Sequence, residues 1–256
     1  MKKIYLDLNV VVDGLHENRA PGIKEKIEGL LDAGVVFPFS PAHLEETAVI
    51  CQTAKKDARK YVIQQVKYIS KISKNHGLMP SDSGPVVLRI EDPKACLYRV
   101  VKGLDKTLFA EMVEGSLHGD VDSYRKFREH YKLDPLILKK VEPGLILGHK
   151  DLENPLKHEA IRTTSSLSSY SELKNDFSRL RDTIDFLMRF LEKCGYFSDD
   201  AKNYRSRMHD VTHAIYATAA DEFVIGDRKF RKKVEAVYAF LGVSTLVCSR
   251  DEFLTR

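Results

Sequence analysis

Residues 209–227 constrain the fold more than any other stretch of the chain. From position 211 to 220 the small and apolar residues repeat at helical spacing, and the small ones permit close packing of that helix on a sheet. Residues 223–225 are a short apolar run stopped by Gly226, which is typical of a buried parallel strand. Open α/β sheets bind ligands at the carboxyl ends of their strands, so Asp227 is predicted to lie at a ligand-binding edge.

The N-terminal segment also has the pattern of an apolar strand that ends in acidic or amide residues. Residues 3–12 are mostly apolar and are predicted as a strand that carries Asp7 and Asn9 at its end. Two predicted strands of one sheet therefore end in acidic or amide side chains. If the strands are parallel, Asp7 and Asp227 lie at the same edge.

A third acidic segment follows the second predicted strand, residues 35–39. Ser40 and Pro41 are a helix-start signal, because a hydroxyl caps the helix and proline suits its first position. Glu45 and Glu46 follow within two turns of that helix. Acids thus recur beside several segments that are predicted to form or flank the sheet.

These motifs, in this order, resemble the PIN-domain nucleases. They are Asp-Leu-Asn after the first strand, Ser-Pro-x-x-x-Glu-Glu opening a helix, Asp-x-x-x-Ala-x-x-Ala within a helix, and Gly-Asp-Arg-Lys-Phe after a strand. The resemblance implies an α/β fold, a PIN-like three-layer sandwich with a central parallel sheet. It also implies that acids bind Mg²⁺ or Mn²⁺ for phosphodiester hydrolysis. Matched motif by motif, the family's acidic set falls on Asp7, Glu46, Asp210 and Asp227.

The chemistry explains why acids would be needed in this pattern. Phosphodiester hydrolysis requires an activated water and neutralisation of charge on the phosphate, and a divalent metal supplies both. Hard cations select carboxylate oxygens. The four acids are therefore predicted to be both metal ligands and catalytic residues. Each taken alone also has a structural interpretation as a turn, capping or solvated helix residue.

The position along the helix decides which of two adjacent glutamates is the predicted metal ligand. One residue along a helix is a large rotation about the axis, so only one of Glu45 and Glu46 is expected to point into the site. The spacing from Ser40 favours Glu46, and Glu45 stays the alternative.

Four further residues are predicted to contact the substrate. Asn9 would bind an acid or a metal-bound water, and His213, one turn from Asp210, would orient an acid or touch a phosphate. Arg228 and Lys229 begin a basic cluster directly after the last acid, where phosphate contact is expected. The alternatives are a turn residue for Asn9, a core residue for His213 and a solvated basic face for the cluster. A zinc site is disfavoured because no third soft ligand accompanies the histidines at 209 and 213.

The resemblance covers residues of about 1–54 and 198–256, and we predict one domain, 1–256, with a mainly helical insertion at about 55–197. The other predicted elements are helices at 21–33, 40–77 with a break near 57, 93–102, 106–118, 120–131, 171–194 and 230–241, strands at 86–90 and 243–248, and irregular or loop segments at 13–18, 78–85, 134–148 and 163–169. The helix after the break carries a largely positive face, interpreted as a solvated surface or a nucleic-acid-binding stripe.

Composition excludes several classes of protein. The 256 residues are 43% hydrophobic and 30% charged, which is ordinary for a globular domain. No apolar run is long enough to span a membrane and no signal-peptide pattern follows Met1, so a cytoplasmic protein without membrane contact is predicted. The four cysteines form no Cys-x-x-Cys pair and are predicted to be free thiols. A net charge of +4 is compatible with a polyanion but does not require one.

The sequence therefore predicts a metal-dependent endonuclease. RNA is favoured over DNA on the resemblance alone, and a toxin or defence-type ribonuclease is one form of that prediction. Two alternatives are kept: a structure-selective DNA nuclease of the flap-nuclease type, and a non-catalytic PIN-like module that binds nucleic acid or protein. A protein partner such as an antitoxin, and association of two copies of the chain, stay open as further alternatives.

Overall fold

The computed structural model describes residues 1–16, 19–51, 57–81, 84–103, 122–165, 167–198 and 204–256. It is an α/β fold with a three-stranded parallel sheet and many helices. The elements, in chain order, are β1 (Ile4–Leu6), α1 (Leu8–Leu15), α2 (Ile23–Asp32), α3 (Pro41–Cys51), α4 (Ala58–Ser73), β2 (His76–Met79), β3 (Val87–Ile90), α5 (Pro93–Gly103), α6 (122–131), α7 (Pro135–Leu138), α8 (Pro143–Ile146), α9 (Lys150–Arg162), α10 (Tyr170–Leu173), α11 (Phe177–Cys194), α12 (Tyr204–Ala217), β4 (Glu222–Ile225), α13 (Arg228–Leu241), β5 (Leu246–Ser249) and α14 (Arg250–Thr255).

The parallel sheet has the order β1-β4-β5. Leu6 of β1 lies opposite Val224 of β4, so the carboxyl ends of these two strands meet at one edge. Every residue of both strands is buried, including Glu222 of β4, and the other residues of the two strands are aliphatic or aromatic. Asp7 and Gly226 are the first residues beyond the two strand ends, which places the candidate acids at this carboxyl edge.

Two single parallel bridges extend the pairing on the other side of β1. Lys3 pairs with Val36, and Phe39 pairs with Gly77 of β2. Strand β2 in turn forms an antiparallel pair with β3. The predicted strand at 35–39 is therefore reduced to bridge contacts, but its chain direction is parallel to β1 and to β2.

The predicted strand at 3–12 is wrong after Leu6. Asp7 has extended backbone angles and precedes α1, so Asn9 and the valines that follow lie on a helix. A run of valines has low intrinsic helix propensity, but Val10 and Val11 are buried in the core, and such burial overrides propensity. Asp13 and Gly14, predicted as a loop, belong to the same helix.

Several predicted boundaries also change. Residues 78 and 79 pair in β2 instead of forming a loop, and the predicted helix 171–194 is divided into α10 and α11, because Asp176 caps α11 by accepting the N–H of Arg179 at 3.0 Å. The segment 134–148 contains the short helices α7 and α8, and α9 and α14 were not predicted. Three predicted elements are confirmed within a few residues: the strand 86–90 and the helices 93–102 and 230–241. The helix predicted at 120–131 is confirmed in its described part, residues 122–131. The predicted helix 106–118 lies outside the described residues.

The segment predicted as an insertion supplies much of the core. Buried residues of α4, including Val62, Ile69 and Ile72, pack in one cluster with Ile4 and Leu6 of β1. Helix α11 contributes to a second cluster with residues of α12, β4 and α13. Cysteines 96, 194 and 248 are buried free thiols, as predicted. Within the part of the chain that the structure describes, no helix is both long and apolar enough to cross a membrane.

Candidate active site at the carboxyl edge of the sheet

Asp7 is a buried carboxylate at the end of β1, with 2% of its surface exposed. Its backbone N–H donates to the carbonyl of Val224 at 2.9 Å, and its Oδ2 lies 3.4 Å from Nδ2 of Asn9. The backbone N–H of Gly226 also faces this carboxylate. A Cβ at position 226 would lie 3.5 Å from Cβ of Asn9 and 3.9 Å from Oδ2 of Asp7, so Gly226 packs directly against this carboxylate.

The environment of Asp7 disfavours its ionised form. Burial raises the pKa of Asp7 to about 6, and the negative charge of Glu46 adds to that rise. The positive charge of His213 and the hydrogen bonds from Asn9 and Gly226 act in the opposite direction without cancelling the burial. The sheet edge therefore holds a carboxylate that would be stabilised by any further positive charge.

Glu45 and Glu46 both belong to the same charged cluster. Glu46 is the nearer to its centre, since its Oε1 lies 3.2 Å from Nε2 of His213. Burial alone would raise the pKa of Glu46, but His213 and His209 outweigh it and the pKa is lowered. Burial raises the pKa of Glu45, although His213 acts against it. The geometry thus gives Glu46 the direct contact and keeps Glu45 close enough to interact with the same imidazole.

His213 on α12 is fully buried between the glutamates and a tyrosine. Burial would lower its pKa, but the charges of Glu46, Asp7 and Glu45 outweigh burial, so the pKa of His213 is raised. Its Nε2 lies 3.2 Å from Oε1 of Glu46, so the two side chains form an ion pair when His213 is protonated. A protonated His213 is thus the internal counter-ion of the acids.

A buried network of hydroxyl and imidazole groups contacts His213 at Nδ1, the ring nitrogen opposite the one that faces Glu46. The hydroxyl of Tyr5 lies 2.7 Å from Nδ1 of His213 and 2.5 Å from Oγ of Ser40. His43 has its Nε2 2.8 Å from the carbonyl of Leu6, and since a carbonyl only accepts, Nε2 carries the proton. Nδ1 of His43 then accepts the backbone N–H of Ser40 at 3.1 Å. Burial lowers the pKa of His43 well below its usual range, so this second imidazole is neutral.

This network provides a hydrogen-bond partner for Nδ1 of His213 in either charge state. A neutral His213 that keeps its proton on Nε2 accepts from Tyr5 through Nδ1, and Ser40 can donate to Tyr5. A charged His213 donates from Nδ1 to the oxygen of Tyr5, whose own proton turns to Ser40. Because the hydroxyl protons rotate, neither state leaves Nδ1 without a partner.

Sequence reasoning did not find Tyr5 or His43. The available signals were a tyrosine inside an otherwise apolar strand, whose hydroxyl needs a partner when buried, and a histidine three residues after Ser40. Ser40 itself was predicted as a helix cap, and its hydroxyl instead bonds Tyr5.

Asp210 and Asp227 are both less buried than Asp7. Asp210 is a half-buried residue of α12, three residues before His213. Asp227 is exposed and caps α13, because its Oδ1 accepts the N–H of Phe230 at 2.8 Å. Among the residues that the structure describes, no three His, Cys, Asp or Glu side chains already stand close enough together to hold a metal ion. The acids therefore share an edge of the sheet without forming a closed cage.

The predicted basic cluster at 228–233 is mostly neutralised. Arg231 lies 3.1 Å from Glu235, Lys232 lies 2.9 Å from the same carboxylate, and Lys233 is buried against an acid of α11. Arg228 and Lys229 are exposed next to Asp227. The guanidinium of Arg228 lies 6.0 Å from the ring of Phe197, and Nζ of Lys229 donates to the carbonyl of Ser198 at 3.1 Å. Only these first two cations lie at the edge of the candidate site.

The cluster predicts a pH dependence of stability in the absence of divalent metal. The raised pKa of His213 gives stability that is present below its unfolded value of 6.5 and is lost as pH rises through the folded value. The raised pKa of Asp7 also removes stability as pH rises from 3.8 to about 6. We therefore expect thermal melting in EDTA to occur at a lower temperature at pH 8.5 than at pH 6.

The matched control is the double variant Asp7→Asn/His213→Gln, in which both titrations are removed. Its melting temperature should change less than that of the parent between the same two pH values. Equal pH dependence in the two proteins would show that other groups dominate and that the cluster is not coupled as described.

Comparison with known proteins identifies no relative: no protein-family model, no curated protein and no solved structure matches this chain.

Proposed function

We propose that the chain is a divalent-metal-dependent nuclease of the PIN-like type, with RNA favoured over DNA as its substrate. The observation that carries the proposal is the buried carboxylate of Asp7 at the carboxyl edge of the sheet, which interacts with Glu46, while Glu46 in turn interacts with Glu45. A scaffold gains nothing from mutually repelling buried acids, whereas a hard cation would relieve that repulsion.

The donor set fits Mg²⁺ or Mn²⁺ in its chemistry. Asp7 and Glu46 offer carboxylate oxygens, and the carboxylates of Asp227 and Asp210 lie on the elements that border the same edge. Mg²⁺ keeps several waters and needs few protein ligands, so a closed protein cage is not required. When bound, the metal would activate a water and neutralise the phosphate.

The protein's own residues would prepare this edge for a metal and a phosphate. Asn9 and the backbone of Gly226 hold the carboxylate of Asp7, and His213 holds Glu46 while it compensates the negative charge. Arg228 is an exposed cation beside Asp227, where it would contact a phosphate of the substrate. The buried position of Asp7 excludes bulk water from one side of the site and strengthens its electrostatic interactions.

One observation favours a second candidate, a non-catalytic binding module. The charge of Glu46 is already paired with His213, and one oxygen of Asp227 is engaged as a helix cap. A protein that had lost metal binding would retain such internal partners. The preference for RNA and the possibility of a toxin-like activity with a protein partner rest on the resemblance to PIN-domain nucleases.

The nuclease proposal predicts metal-dependent cleavage. Labelled single-stranded, duplex and hairpin RNA and DNA, together with a branched DNA, are incubated with the protein in Mn²⁺, in Mg²⁺ and in EDTA. We expect cleavage in at least one metal and none in EDTA, with RNA cut faster than DNA of the same sequence. Faster cleavage of branched DNA than of any RNA would favour the flap-nuclease alternative. The absence of cleavage on the whole panel, with nucleic-acid binding retained, would favour the binding module.

A further inference from the structure

Helix α4 exposes a face that is basic and partly apolar. Its sixteen residues include no acid. Arg59, Lys60 and Lys67 are exposed, and between them in the sequence Tyr61 and Ile63 expose 49% and 46% of their surfaces. Single half-exposed apolar side chains are common on protein surfaces, so these two matter here only for their position beside the cations.

The cations of this face differ from those of α13. In α13 three of the five basic residues at 228–233 are paired with acids. In α4, within the described part of the chain, Lys71 is paired with Glu28 at 2.7 Å, whereas Arg59, Lys60 and Lys67 contact no acid. Residues 59–67 of α4 therefore carry three cations that form no ion pair with the acids that the structure describes.

The topology places the first residues of α4 toward the edge of the sheet that carries Asp7. The chain leaves the sheet after Phe39 and re-enters it in β2, and the bridge between Phe39 and Gly77 is parallel. The crossover must therefore return from the carboxyl edge to the amino edge. Helix α4 makes that return and ends at Ser73, three residues before β2, so its first residues lie toward the carboxyl edge.

A contact with α1 supports the same placement. Helix α1 begins directly after Asp7, and the ring of His16, at its other end, lies 6.3 Å from the ring of Tyr61. Eight helical residues span about 12 Å, so a strand of a few nucleotides could extend from Tyr61 to the carboxylate of Asp7.

We propose that residues 59–67 of α4 are a binding surface for single-stranded nucleic acid that leads into the candidate site. Arg59, Lys60 and Lys67 would contact phosphates, and Tyr61 would stack on a base. The inference rests on the proposed function for the identity of the ligand. Single strands are chosen because an exposed aromatic ring can stack on a base only where the base is unpaired.

The test is fluorescence anisotropy with a labelled twelve-nucleotide uridine oligomer, in EDTA so that no cleavage occurs. The Lys60→Gln/Lys67→Gln variant should bind more weakly, and the slope of log affinity against log salt should fall by about 0.7 for each phosphate that is no longer neutralised by a lysine. Tyr61→Ala should weaken binding about tenfold, while Tyr61→Phe, which keeps the stacking ring, should bind like the parent.

The matched control is Lys139→Gln/Lys140→Gln. These two lysines are exposed just before α8, which packs on the C-terminal half of α13, since a Cβ added at Gly144 would lie 3.8 Å from Cβ of Ala239. Because α13 starts at the carboxyl edge, that half lies away from the candidate site. Circular dichroism verifies that all variants are folded.

The binding surface is overturned if the α4 variants bind as tightly as the parent, if the control variant weakens binding equally, or if the parent binds anionic lipid vesicles but not the oligomer. These outcomes are distinguishable from failure of the nuclease proposal. If binding depends on α4 but no metal supports cleavage, the nuclease proposal is refuted and the binding surface is supported. If the protein cleaves nucleic acid and the α4 variants cleave like the parent, the binding surface is refuted and the nuclease proposal is supported.

Discussion

Asp7→Asn should raise the free energy of unfolding of the metal-free protein by about 3 kcal/mol at pH 8. The pKa of Asp7 rises from 3.8 to about 6 on folding, so at pH 8 the ionised carboxylate destabilises the folded state. The asparagine keeps the shape and its oxygen still accepts from Gly226. The cost of the ionised carboxylate grows from the unfolded pKa to the folded one and is complete above pH 6. At pH 4 the same variant should gain little. Urea unfolding in EDTA at the two pH values measures the difference.

The same substitution should lower metal-dependent hydrolysis by orders of magnitude, since it removes a charged ligand from the site. A variant that is more stable but inactive would show that the carboxylate destabilises the fold and is required for function. The matched control is Asp32→Asn, an exposed acid at the end of α2, which should change neither property. A destabilised Asp7→Asn protein would show that the carboxylate is a structural anchor.

Lys233→Met should destabilise the protein by about 3–5 kcal/mol, because it leaves a buried glutamate without its counter-ion. Lys233 of α13 is 1% exposed and forms an ion pair with Glu192 of α11, which is 6% exposed. The double variant Lys233→Met/Glu192→Met removes both charges and should recover most of the loss, because an uncharged pair of similar volume is often as stable as the ions.

Lys232→Met is the control for that experiment. Its partner is the half-exposed Glu235 at 2.9 Å, and such surface pairs contribute about 0–1 kcal/mol. Urea midpoints of the three variants give the comparison. If Lys233→Met is no more destabilising than Lys232→Met, the pair between α11 and α13 is not desolvated as its burial indicates.

Local pattern was sufficient to predict the C-terminal part of the sheet and its helix. The run at 223–225 is bounded by glycine, and Asp227 is a capping residue followed by an amphipathic helix, so pattern and tertiary structure agree there. The helix α11 is similarly confirmed in its main part because its apolar stripe is long and regular.

The N-terminal strand was predicted wrongly because its local pattern and its tertiary role disagree. Leu8, Val10 and Val11 read as a continuation of the strand, but the chain turns at Asp7 and buries these residues as one face of a helix. No local residue pattern signals that turn. It is specified by burial against other elements, which a single sequence does not show.

The network behind His213 could not be predicted for a related reason. Its members, Tyr5, Ser40, His43 and His213, come from distant parts of the chain, and Tyr5 and His213 are 208 positions apart. Their hydrogen bonds exist only once the sheet has assembled. Similarly, the sequence shows five cations at 228–233 but not the distant acids that pair with Arg231 and Lys233.

Isothermal titration of Mn²⁺ into the parent and into Asp7→Asn tests the central claim most directly, because it requires no knowledge of the substrate. We predict saturable binding to the parent at pH 7.5 and binding at least about tenfold weaker to Asp7→Asn, since an ionised carboxylate ligand has been removed. Equal titration curves for the two proteins, or no heat with the parent, would contradict a metal site at the carboxyl edge of the sheet.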